Sequence, residues 1–121
     1  MKKENVIVDK SKAFAIRIVK LYKYLVSQNR EYVLSTQLLR SGTSIGANVK
    51  EAIRGQSEAD FYSKLNIALK EASETEYWLE LLHETNYITD LQFVSINNDC
   101  CELIKILISI SKTNKGNKFN Q

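Results

Sequence analysis

Apolar residues recur at helical spacing along most of the 121-residue chain. Phe14, Ile18, Leu21 and Leu25 form one stripe, with Ala15, Val19, Tyr22 and Val26 beside it. They predict a first helix running from Asp9 or Ser11, either of which suits an N-cap, to about Ser27. After a polar connection at Gln28 to Glu31, the face Leu34, Leu38, Ile45, Val49 and Ala52 predicts a second helix closing at Gly55.

Ser57 with Asp60 resembles a capping box and opens a third helix near Glu58. Phe61, Leu65, Ala68, Ala72, Thr75, Leu79 and Leu82 then alternate by four and three, the seam of a left-handed bundle. Glu71 and Glu76 flank this seam, and one of them is expected to be partly buried and to pair with Arg40 or Arg54. A turn at Thr85 to Ile88 leads to a second box, Thr89 with Gln92, and a fourth helix with Phe93, Ile96, Cys100, Leu103, Leu107 and Ile110 inside. Ile104, Ile106 and Ile108 place apolar side chains around much of the same helix, which makes them candidates for an oligomer interface.

The expected architecture is therefore all-α: an antiparallel up-down-up-down four-helix bundle over 9–111, with a flexible N-terminus at 1–8 and a disordered basic tail at 112–121. The second helix contains an unusual stretch, Ser41, Gly42, Ser44, Gly46 and Asn48. Each glycine costs about 1 kcal/mol relative to Ala in a helix, so close approach of a neighbouring helix must offset it. Ser41, Ser44 and Asn48 are expected to hydrogen-bond across that contact. The alternative is a loop at 41–43 that splits the helix.

The composition agrees with this pattern, with no Pro and only four Gly. The adjacent Cys100 and Cys101 lack metal-knuckle spacing and read as reduced thiols of a cytoplasmic protein. Val6 to Val8 is too short for a secretory signal, and no apolar run approaches the ~20 residues that span a bilayer. The net charge of +3 is unevenly placed: residues 1–54 hold 11 basic and 4 acidic side chains, residues 57–99 hold 2 and 9. This asymmetry marks either a polyanion-binding face or helix faces that complement one another within a bundle or between subunits. The nucleic-acid candidates are Arg17, Lys20 and Lys23 on the first helix and Arg40, Lys50 and Arg54 on the second, together with the lysines of the tail.

Arg40-Ser41-Gly42-Thr43-Ser44-Ile45-Gly46-Ala47-Asn48, then Glu51-Ala52, Ser57, Phe61, Leu65 and Ala68, then Glu71 through Leu79, resembles a bacterial four-helix-bundle family. It is the family of proteins encoded in intervening sequences of 23S rRNA genes. The resemblance extends over about residues 9 to 111. It implies a homo-oligomer, a pentameric ring, and kinship with the accessory protein of diversity-generating retroelements, which looks like a nucleic-acid-binding pentamer. It implies no enzyme activity.

Glu80-x-x-His83 matches a bundle metal motif, but a di-iron site needs a second copy and His83 is the only histidine, so it reads as a helix-end residue. One histidine also leaves no triad, and Gly42 and Gly46 lack the strand and lysine of a phosphate loop. The expectation is a chain with no catalytic residues, metal, cofactor or small-molecule substrate. Its expected partners are itself and RNA or DNA, or else another protein that it scaffolds.

Overall fold

The computed structural model describes the backbone of residues 2–120 and the side chains of residues 6–113. Four helices, α1 (Lys2–Asn29), α2 (Val33–Ile53), α3 (Glu58–Glu84) and α4 (Asp90–Asn120), account for nearly all of it, with no strand among the described residues. Each helix packs on its sequence neighbours, and α4 returns to α1, an arrangement compatible with a four-helix bundle.

The core is one continuous cluster threaded through all four helices. On α3, Leu65, Ala68, Ala72, Thr75, Leu79 and Leu82 are buried, as the four-three alternation predicts, with Phe61 half-buried at the end. On α4, Ile96, Cys100, Leu103, Leu107 and Ile110 are buried. Fully burying a side chain the size of Leu or Ile contributes about 1.5–3 kcal/mol, so these seams dominate the stability of the fold.

The helix ends follow local chemistry. Ser57 Oγ accepts from the Asp60 N–H at 3.1 Å and starts α3. Thr89 and Gln92 complete a reciprocal capping box at α4: Thr89 N–H donates to Gln92 Oε1 at 2.8 Å, and Gln92 N–H to Thr89 Oγ1 at 3.1 Å. α2 begins at Val33, just after the expected polar connection, but through a cap that the sequence pattern does not show. Glu31, buried before the helix, accepts the N–H groups of Val33, Leu34 and Ser35 on its carboxylate at 3.0, 2.8 and 2.7 Å. Three of the N–H groups that a helix start leaves without partners are thereby satisfied by one side chain.

Several boundaries differ from expectation. Asp9 and Ser11 do not cap α1, because Ile7, a turn earlier, is fully buried and draws residues 2–8 into the helix. Residues 2–8 are thus helical backbone at the start of α1. At the other end α4 continues to Asn120, past the expected limit of 111; the side chains of 114–121, including Lys115 and Lys118 of the basic tail, lie outside the described residues.

α2 runs unbroken through 41–43, and its glycines are explained by α1. A Cβ on Gly42 would stand 2.8 Å from Ile18 Cγ1 and Cγ2, and one on Gly46 would stand 3.3 Å from the Ser11 carbonyl. Of the three polar residues expected to bridge to a neighbour, only Ser41 does, to Thr75 of α3. Ser44 and Asn48 bond to carbonyls of their own helix, Arg40 and Ser44, because a short side chain on a helix reaches the preceding turn more easily than the next helix.

Candidate nucleic-acid interface

The six basic residues singled out by the charge pattern divide into two groups. Arg17 reaches from α1 to α4, where Nη1 donates to Asp99 Oδ2 at 2.6 Å and Nη2 to Ser95 Oγ at 2.9 Å. Arg40 reaches from α2 to α3, pairing with Glu71 at 3.1 Å and with Glu74. Glu71 is the more buried partner, which makes the expected pairing of Arg40 with the α3 seam real. These two arginines act as struts between helices. Exposed pairs of this kind contribute only about 0–1 kcal/mol each.

Lys20, Lys23, Lys50 and Arg54 are exposed and form no ion pair among the described residues. Glu51, which might have neutralised Lys50 and Arg54, instead holds Lys64 at 3.0 Å. Lys50, Arg54 and Lys64 line a hollow of ≈ 690 Å³ at the α2–α3 turn together with Glu51 and Asp60. Lys12, which the sequence reading passed over, is also exposed; it lies eleven residues, or about three turns, before Lys23 and so shares its stripe.

The isoleucines of α4 are mostly accounted for within the chain. Ile104 and Ile106 pack against the core, because α4 touches both α3 and α1, and only Ile108 is exposed. The most exposed large apolar residues are Leu91, 81% exposed, and Val33, followed by Tyr32, Val94 and Tyr77; Ile16 and Tyr24 on α1 are exposed as well.

At the end of α3, His83 stacks on Phe93 at 4.4 Å and its Nε2 lies 2.6 Å from Asp90 Oδ1, while Glu80 faces solvent. Both cysteines are free. Burial, reinforced by Glu76, pushes the Cys100 thiol up to about 12, and its Sγ donates to the Ala72 carbonyl at 3.4 Å. Cys101 is also raised, by burial first and then by its hydrogen bond to Glu76 Oε2 at 3.3 Å. Neither thiol has the lowered pKa of a nucleophile at neutral pH.

Four helices around one apolar core, with unpaired cations on α1 and α2, define the class: an all-α protein compatible with a four-helix bundle. The chain matches the 23S rRNA-intervening sequence protein family over residues 3–109 and belongs to it. It is similar to a solved crystal structure of a protein with unknown function from the S23 ribosomal protein family of Bacteroides thetaiotaomicron VPI-5482. The two are 65% identical, the match covers 91% of this chain and 98% of that one, and the TM-score is 0.90. No curated protein matches the chain. No enzyme family is among these similarities, and no helix among the described residues is long and apolar enough to cross a membrane.

Proposed function

We infer that this protein is a non-enzymatic adaptor, an antiparallel up-down-up-down bundle that self-associates and binds the phosphate backbone of RNA or DNA. The observation that carries the binding reading is that Lys12, Lys20, Lys23, Lys50 and Arg54, on α1, on α2 and at the end of α2, are exposed and form no ion pair among the described residues, while Arg17 and Arg40 are taken up by α4 and α3. A cation already held by a carboxylate releases little further energy on meeting a phosphate, whereas a solvated lysine releases condensed counterions from the nucleic acid.

The antiparallel order is supported by the contacts between helices. Lys10 meets Glu102 and Arg17 meets Asp99, while Glu51 meets Lys64 and Arg40 meets Glu71. Self-association is supported by Val94 and Ile108, exposed apolar residues fourteen positions apart, about four turns, and therefore on one face of α4. Repetition of weak basic patches around an oligomer multiplies affinity.

Fluorescence anisotropy with labelled RNA and DNA across a salt series tests the reading. Affinity is expected at low salt, falling steeply as salt rises, and charge reversal of Lys20 and Lys23 is expected to weaken it more than Arg17→Ala does. Absence of binding at low salt would end the nucleic-acid reading and favour a scaffold that docks another protein.

A further inference from the structure

Beside the free Lys20, α1 and α4 part to leave a groove of ≈ 570 Å³. Its floor is apolar and buried, formed by Ile88 and Ile96 with Leu21, and its walls are the exposed Tyr24 and Leu91. Lys20 and Arg17 stand on its rim; Arg17 is fixed in place by Asp99 and Ser95, so Lys20 supplies the uncompensated charge. Lys20 and Tyr24 are four residues apart and therefore neighbours on one helix face. An apolar slot with an aromatic wall and one free cation at its mouth fits a planar, hydrophobic group that carries a single negative charge next to it.

The geometry points to this groove as a seat for one unstacked base of a single-stranded nucleic acid, with Tyr24 as the stacking surface, Leu91 closing over the other side and Lys20 on the adjoining phosphate. The inference rests on the backbone-binding reading and narrows it to single strands, whose bases are free to leave the stack. The volume lies within the ~300–1,000 Å³ of small-ligand sites. Tyr24, Ile88 and Gln92 also line a second hollow of ≈ 430 Å³ with Asn29, Asn86 and the His83–Asp90 pair, so the two hollows adjoin at Tyr24. Duplex nucleic acid has no base to offer such a slot and meets only the lysines.

The test compares a fluorescein-labelled oligouridine with an RNA duplex of the same length, on the full chain at low salt. Tyr24→Ala is expected to weaken oligouridine binding by about tenfold, the typical worth of one stacked base. Leu91→Ala, at a position too exposed to affect folding, is expected to weaken it severalfold. Tyr24→Phe keeps wild-type affinity because stacking needs the ring and not the hydroxyl, and duplex binding is unchanged in all three. Wild-type oligouridine affinity in both Tyr24→Ala and Leu91→Ala overturns the base seat while leaving the backbone reading standing. No binding of either probe by the wild type overturns both.

Discussion

Thr75 of α3 donates its hydroxyl to Ser41 Oγ of α2 at 2.9 Å, and both side chains are completely buried. This bond lies inside the apolar core, beside the Arg40–Glu71 strut, and fixes the register of the two helices. Thr75→Val removes one partner and leaves the Ser41 hydroxyl with only the Leu38 carbonyl at 3.4 Å. The expected destabilisation is about 1–3 kcal/mol by urea unfolding. Thr75 Oγ1 also bonds the Glu71 carbonyl at 2.7 Å, so Ser41→Ala alone is expected to cost less than Thr75→Val, and the double variant less than the sum of the two singles because the bond between the hydroxyls is lost only once; strict additivity would show that the pair is not coupled.

Gly42 and Gly46 separate packing from helix propensity. Alanine is the better helix former by about 1 kcal/mol. At Gly42, however, the new methyl would stand 2.8 Å from branched carbons of Ile18, close to its backbone, where no rotation relieves the clash. Overpacking costs about 1–3 kcal/mol, so Gly42→Ala is expected to be net destabilising. Gly46→Ala meets the Ser11 carbonyl at 3.3 Å and Ser11 Oγ at 3.5 Å, looser contacts than at Gly42, and is expected to cost less. The reverse order in thermal melts would refute the close α1–α2 contact as the reason for these glycines.

Glu31 gives a third prediction. Glu31→Ala strips three N–H groups of α2 of their acceptor, and about 0.5–2 kcal/mol of stability is expected to go with it. Hydrogen exchange at Val33, Leu34 and Ser35 would rise more than elsewhere. Glu31→Gln, which keeps one acceptor oxygen, is expected to fall between the two.

Cys100 sets an alkaline limit. The unfolded thiol ionises near 9.0, while the folded one keeps its proton to about 12. Above pH 9 the unfolded state therefore binds fewer protons than the folded one, and stability declines as pH rises through this window; below it the contribution is constant. The unfolding midpoint of Cys100→Ala is expected to fall less steeply between pH 9 and 12 than that of the wild type. Parallel curves would mean that the thiol is not held protonated by burial.

The sequence exposed what depends on neighbours within a few residues. The α3 seam from Leu65 to Leu82 and the Thr89–Gln92 box are local patterns, and both stand where the spacing put them. Glu31 escaped because Glu is not a usual cap, and its role arises only when the chain bends back so that the carboxylate meets three N–H groups. Ile7 escaped because a single buried residue before Asp9 makes no stripe until α1 lies in place. The division of the six cations was legible only in part: the α3 seam pointed to Arg40 or Arg54 as the partner of Glu71 or Glu76, and Arg40 does meet Glu71, but nothing local shows that Arg17 finds Asp99 across 82 positions of chain. Charge counts show that opposite signs exist, and only the fold shows which ones meet. The groove at Tyr24 likewise needs α1 and α4 side by side.

The adaptor account is tested most directly by size-exclusion chromatography with light scattering and absorbance on protein purified at low salt. The account predicts a particle several times the 13.9 kDa protomer, carrying nucleic acid that high salt strips away. A monomer free of nucleic acid under the same conditions would contradict it.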